Sequence, residues 1–231
     1  MRASVLVTVC LQGGGEFSPG CRTMDSRLLA AVDGPVVVAA LAGAPGREYR
    51  TANDHGVSHF RTCGASDVVG APDVREDPDE ALRVLRTARL VVLPGGSPSR
   101  LLTALRSSEV AQLLIQLVAD GGAVMGASAG AMVLGSWTVL PDRRSPEGGL
   151  AVEAGLGLAP GLAVVPHWSG GSSRGDWLRA LAAAPDPVRV LGLPEESGVL
   201  LHGGATEVVG RSAVRVVDER RDVPVGTTLA S

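Results

Sequence analysis

Residues Val124 to Gly135 read VMGASAGAMVLG, and Gly126, Ser128 and Gly130 within them spell G-x-S-x-G. The reading turns on whether Ser128 is placed as a nucleophile or is an ordinary helix N-cap in a chain rich in Gly and Ala. A nucleophilic serine needs an exposed hydroxyl and a backbone N–H aimed at its substrate. A sharp turn from strand to helix supplies both but crowds the backbone, and small residues two places before and two after the serine relieve the crowding. Gly126 and Gly130 stand at those places, and Ala127 and Ala129 are small as well. The run AVMGAS (123–128) reads as a strand and the residues after it as a helix start, so the context the motif requires is present. A helix beginning there adds a favourable field for a developing oxyanion, and the Ala129 N–H is a candidate donor.

Apolar runs and helix-like stretches alternate on either side of this motif. Strands are expected at 4–11, 35–41, 66–71 and 89–96. Helices are expected at 23–32, 47–64, 77–88 and 107–122. Asp77 is an N-cap followed by Pro78 at the first helical position. The 107–122 helix carries an apolar stripe at 110, 113, 114, 117 and 118 and is stopped by Gly. Continuous apolar strands separated by helices predict an α/β fold with a doubly wound, mostly parallel sheet flanked by helices. Reactive groups in such sheets lie beyond the carboxyl ends of the strands. Two loops qualify, Gly95-Gly96 and the Ser128 turn. Past residue 196 short β-type runs broken by Gly predict C-terminal β-hairpins. Residues 141–149 are expected to be a mobile loop and 223–231 to fray. With no repeat and no linker, residues 1–231 read as a single domain.

Aromatics make up only 3% of the 231 residues against 45% hydrophobic residues, so the core is built from Val, Leu and Ala. A net charge of −3, a pI of about 5.8 and dispersed arginines argue against a nucleic-acid partner. No apolar run reaches the roughly 18 residues of a membrane span. The apolar start is short and runs directly into Gly13, which predicts a first strand rather than a signal peptide. Cys10, Cys21 and Cys63 are odd in number and at no metal-like spacing, so no metal is expected; read as reduced, they fit a cytoplasmic protein.

A serine needs a base, and there are four histidines. His55 and His59 are spaced i, i+4 without a nearby Glu and read as a polar helix face. His167 follows the strand-like run 161–166 and precedes WSGGSSRG, the place where a base is needed, although a surface histidine fits there too. Glu195, at the end of another apolar run, is a candidate orienting acid, with Glu196 beside it as the alternative. On a strand these neighbours face opposite sides, so only one reaches His167. The order Ser128, His167, Glu195 differs from the serine, acid, histidine order of α/β-hydrolases. That second scheme takes His202 as base with Glu195 or Asp186 as acid, but leaves too short and too strand-rich a C-terminal part.

With GGGEF (13–17), LPGGSPSRLL (93–102), GASAGAMVLG (126–135), VVPHWS (164–169) and LGLPEESGVLL (191–201) in this order, the chain resembles peptidase family S51 over roughly residues 5–205. That family includes aspartyl dipeptidase (dipeptidase E) and cyanophycinase, and its fold is class I glutamine amidotransferase-like, a flavodoxin-like architecture in which serine replaces the usual cysteine. The resemblance implies Ser128 as nucleophile, His167 as base, Glu195 as acid, and an oxyanion hole from Gly95, Gly96 and Ala129. Cyanophycinases commonly carry Asp-Gln where this chain has Ser97-Pro98, and Gln where it has Pro166, which argues against cyanophycin as substrate. The segment Pro166-His167-Trp168 is closer to the dipeptidases. An N-terminal aspartate needs a cation, for which Arg174 and Arg100 are candidates. Ser97, Trp168 and Arg174 complete the expected substrate contacts.

The expected function is thus a cofactor-free serine peptidase acting on small peptides, with a homodimer as the candidate assembly and neither membrane nor nucleic acid as partner. Two rivals stand beside it: another hydrolase or acyl transferase on the same site, and a noncatalytic binding domain that kept the fold.

Overall fold

The computed structural model describes residues 7–142, 148–170 and 174–229. In chain order the first half comprises β1 (Val7–Gln12), α1 (Arg22–Ala31), β2 (Val36–Val38), α2 (Arg47–Thr62), β3 (Val68–Gly70), α3 (Pro78–Leu85), β4 (Leu90–Leu93), α4 (Pro98–Arg106), α5 (Val110–Ala119), β5 (Ala123–Ala127) and α6 (Ala129–Leu134). Then follow β6 (Trp137–Pro141), β7 (Leu150–Ala154), β8 (Leu162–Val165), α7 (Gly175–Leu181), β9 (Arg189–Gly192), β10 (Ser197–His202), β11 (Ala205–Gly210), β12 (Val214–Val216), β13 (Arg221–Val223) and β14 (Thr228–Leu229).

The main sheet runs β14-β11-β10-β1-β5-β4-β2-β3. From β1 to β3 every pairing is parallel; β10, β11 and β14 extend the other edge antiparallel. The central strands β2, β4 and β5 are buried along their whole length, which explains why they read as unbroken apolar runs. Val9, Leu11, Val91, Leu93 and Val124 enter the core shared with α3 to α6. Their neighbours Cys10, Leu90, Val92, Ala123 and Met125 face the other core with Met24 and Leu28 of α1 and Phe60 of α2. This is the period-two alternation of a pleated strand.

The expected fold class holds, with four differences. The strands form two sheets in addition to the main one: β13-β12-β9-β8, in which β8 and β9 are parallel, and the β6-β7 hairpin. Pro98–Arg106 is a helix that the periodicity reading passed over; Ser97 caps it by accepting from the Arg100 N–H, and Pro98 opens it. The expected mobile loop is flanked by β6 and β7, whose pairing joins Pro141 to Leu150, while residues 143–147 lie outside the described residues. The tail expected to fray is held: Val223 lies in β13, and Thr228–Leu229 pair with β11, with Leu229 buried. Of the first expected strand, residues 4–6 lie outside the described residues. The Asp77 cap is as expected, its side chain accepting from the Glu80 N–H. Among the described residues no single helix is long and apolar enough to cross a membrane.

The crowding argument for the Ser128 turn has a direct counterpart in space. A Cβ at Gly126 would lie 2.4 Å from the Gly130 carbonyl carbon, and one at Gly130 would lie 2.2 Å from the Leu93 carbonyl oxygen. Both obstacles are backbone. Gly130→Ala therefore forces α6 away from β4, and we expect a loss of about 1–3 kcal/mol, seen as a lower urea midpoint at unchanged slope.

Candidate active site

Ser128 stands between β5 and α6 with φ 49° and ψ −110°, a left-handed conformation rare for a residue with a side chain. Its N–H donates to the Gln12 carbonyl at the end of β1, which fixes the turn to the neighbouring strand. Its Oγ lies 2.8 Å from His167 Nε2, and His167 Nδ1 lies 3.1 Å from Glu195 Oε1. The five carrying loops leave the carboxyl ends of β1, β4, β5, β8 and β9. Ser128 and His167 are half-buried, and the Glu195 side chain is 64% exposed.

The structure separates the two candidate acids, though not by strand alternation. Both lie in the turn between β9 and β10, where Glu196 adopts φ 55°. Glu196 accepts from Ser18 Oγ at 2.7 Å and from Arg211 at 2.8 Å, and these bonds hold its carboxyl below the usual carboxylate range. It is a structural anion facing away from His167. The serine, acid, histidine scheme is excluded by topology: His202 pairs with Val7 at the opposite end of β1, and its ring faces Glu207. Asp186 precedes β9, at the far end of that strand from Glu195.

The GGGEF segment, assigned no role from sequence, organises the site. The Gly13 carbonyl accepts from the His167 N–H and the Gly14 carbonyl from the Glu196 N–H, both at 2.8 Å. Glu16 Oε1 accepts from the Gly95 N–H at 2.7 Å. A Cβ on Gly95 would be 2.6 Å from this carboxylate oxygen and 3.1 Å from the Ser128 Cβ, so the Gly95 turn lies between Glu16 and Ser128. Gly95 is therefore an occupied donor here; the Gly96 and Ala129 N–H groups have no acceptor among the described residues. Glu16 makes no ion pair among the described residues. The signal that pointed to it was its place, directly after a glycine run at the carboxyl end of the strand next to β5.

Arg174 lies beside the site, its Nη2 3.4 Å from the His167 carbonyl oxygen and its guanidinium 5.3 Å from the Trp177 ring centroid. Its Nε is buried with no acceptor among the described residues. Arg100 is engaged elsewhere, with the Ala42 carbonyl and Glu48. Two expected substrate contacts have other partners in the structure. The Ser97 hydroxyl is used as the α4 cap. Trp168 packs flat over Gly192 and lines a cavity of about 390 Å³ with Leu178, Arg215 and Asp222, on the second sheet rather than over Ser128. A cavity of about 730 Å³ between α3 and α5 lies at the amino ends of β4 and β5 and so away from the serine.

Proteins with this arrangement form a class, α/β folds that carry a serine-hydrolase type of site. Within it the chain belongs to peptidase family S51, whose family model matches residues 51–209. A cyanophycinase from Trichormus variabilis (strain ATCC 29413 / PCC 7937) is 30% identical over 168 residues, covering 69% of this chain and 56% of that protein. A cyanophycinase from Synechococcus elongatus is 28% identical over 225 residues, covering 94% of this chain and 63% of that protein. The chain thus spans little more than half the length of these relatives. Among solved structures, a peptidase from an acI-B1 Actinobacterium matches with a TM-score of 0.80 at 21% identity, covering 99% of this chain and 98% of that one. A peptidase E protein from Listeria monocytogenes EGD-e matches at 0.63 and 15% identity, covering 89% and 98%. These two likenesses establish the fold.

Gly14 gives a test of the histidine's seat. It has φ 133°, and a Cβ there would lie 2.3 Å from His167 Cε1. Gly14→Ala is expected to displace the imidazole and slow labelling of Ser128 by a fluorophosphonate at least about tenfold, as a misplaced base does, with the fold retained by circular dichroism.

Proposed function

We propose that the chain is a serine peptidase acting on small peptides with a free, acidic amino-terminal residue. The observation that carries this reading is the continuous Ser128–His167–Glu195 hydrogen-bonded path at 2.8 and 3.1 Å. His167 Nε2 takes the proton as Ser128 Oγ attacks the scissile carbonyl, and Glu195 holds the ring and offsets its positive charge. The tetrahedral oxyanion is received by N–H groups of Ala129 and the Gly95-Gly96 turn. As the C–N bond breaks, His167 returns the proton to the leaving amine. Water, deprotonated by His167, then releases the acyl group from Ser128.

Glu16 limits what enters. A substrate oxygen takes the Gly95 N–H only by displacing the Glu16 carboxylate, which then needs a cation. The free α-ammonium of an amino-terminal residue, next to its own carbonyl, supplies one. Arg174, with an unmet Nε, supplies the complementary cation for an acidic side chain. The positions where cyanophycinases carry polar recognition groups offer little here, since Ser97 serves as a helix cap and Pro166 has no donor. The relatives' name therefore does not carry over to the substrate.

Purified protein incubated with a dipeptide library, read by mass spectrometry, is expected to cleave aspartyl peptides first. Ser128→Ala should lose at least about 10⁴-fold in kcat and Glu195→Gln about 10²- to 10⁴-fold, the exposed carboxylate setting the lower end. Undiminished cleavage by Ser128→Ala would sink the proposal. Turnover of no peptide, with Ser128 still labelled by a fluorophosphonate, would point to an ester or other amide as substrate.

Glu16→Gln separates the gate from the chemistry. It keeps a hydrogen-bond acceptor but removes the charge. The preference for a free over an N-acetylated amino terminus should fall about 10- to 100-fold in kcat/KM, the worth of one charged hydrogen bond. An unchanged preference would remove Glu16 from substrate recognition.

A further inference from the structure

The chain's three cysteines are far apart in sequence, yet the fold brings all of them around one carboxylate. Asp25 on α1 is wholly buried. His59 Nε2 lies 2.7 Å from its Oδ2, and Cys63 Sγ lies 3.4 Å from the same Nε2. His59 was expected on a polar helix face with His55; His55 is exposed, but His59 turns inward, 4% exposed at the side chain. We propose that Asp25 Oδ2, His59 Nε2 and Cys63 Sγ form a binding site for one divalent metal ion of the zinc type.

The three ligand atoms all lie within 4.8 Å of one another. Hydrogen bonding accounts for only part of this convergence. An imidazole nitrogen carries either one proton or one lone pair. A single N–H shared between the carboxylate and the sulfur leaves the longer contact weak, whereas a cation among the three satisfies each lone pair. The spacing suits a metal, because residues four apart on a helix share one face. His59 and Cys63 are so placed at the end of α2, and Asp25 faces them from α1. A thiolate, a carboxylate and a neutral imidazole together carry two negative charges, which a divalent ion cancels in a buried place. Nitrogen and sulfur donors with one carboxylate suit zinc; magnesium and calcium require oxygen throughout.

The surroundings supply what such a site needs. Gln12 Nε2 donates to the other Asp25 oxygen, orienting the carboxylate. The Phe17 and Phe60 rings each stand with centroids 5.6 Å from that of His59 and keep the site dry on that side. Cys63 is half-exposed, which leaves an entry path to the sulfur. Burial first, and the Asp25 charge second, raise the Cys63 thiol above its ordinary value. Cys10 and Cys21 are raised by the same two causes, Cys21 to about 11, and lie outside the donor group.

The site is independent of the peptidase reading and is tested without it. The full chain, stripped with a chelator, is titrated with Co²⁺ and followed by absorption. We expect one equivalent to bind with a thiolate-to-cobalt charge-transfer band and tetrahedral visible bands, all displaced by Zn²⁺. Zn²⁺ should also raise the melting temperature. Cys63→Ser, a change at the half-exposed end of α2, should fold by circular dichroism, lose the charge-transfer band and bind at least about 10-fold more weakly. Absence of the band in the wild-type chain, or its persistence in Cys63→Ser, overturns the site and leaves Asp25 and His59 as a buried ion pair.

Discussion

The arrangement of the site depends on the backbone of Gly13 and Gly14. Their carbonyl oxygens accept from the His167 and Glu196 N–H groups, and the Gly13 N–H donates to the Ser197 carbonyl. One loop end of β1 thereby holds the base and the turn bearing the acid, which come from the second sheet. The adjacent residue, Gln12, holds Ser128 through its own carbonyl. Side chains would destroy this seat: a Cβ at Gly13 would lie 2.2 Å from the Leu193 and Pro194 oxygens. The serine, histidine and glutamate approach one another because two glycines, Gly13 and Gly14, allow three chain segments to meet at backbone distance.

This closeness has a conformational cost. Among the described residues, Phe17, Ser128, His167, Glu196 and Arg220 are the non-glycine residues with positive φ, and the first four belong to the site or its loops. Such conformations cost on the order of 1–3 kcal/mol each. They persist because the neighbouring structure over-determines them: β1 and β5 pair in register from Val9 to Gln12, and β8 and β9 along the whole length of β8. The rigid sheets absorb strain that a loop alone would release.

The parallel sheet was legible because both of its faces are covered, which leaves a simple pattern of apolar runs. Ser128, His167 and Glu195 could be picked out as candidates because each follows a strand-like apolar run. Other features depended on the third dimension. α4 begins at a Ser-Pro pair directly after a glycine turn, and its short apolar stripe was absorbed into the preceding loop. That only one of Glu195 and Glu196 reaches His167 was expected from strand alternation, whereas the two lie in a turn. Glu16 carried no motif of its own, and its meaning arises from the Gly95 N–H, far along the chain. Trp168 adjoins the base in sequence but points to the other side of the second sheet, since successive side chains diverge around a residue at φ 52°. Of the group Asp25, His59 and Cys63, local spacing shows only the i, i+4 pair His59 and Cys63; Asp25 joins them from a different helix.

The site and the buried cluster share the same short piece of chain. Gln12 sends its backbone to Ser128 and its side chain to Asp25, and Phe17, directly after Glu16, stacks on His59. Residues 12 to 17 are therefore held from below by the polar cluster and present their upper face to the nucleophile. Glu16 occupies the Gly95 N–H from a segment whose two ends are anchored, so its carboxylate has little freedom beyond side-chain rotation. On the proposed reading, a cation brought by a substrate competes with the backbone donor that this carboxylate now holds. Selectivity for a charged amino terminus would then require no change in the sheet or in the elbow that carries the serine.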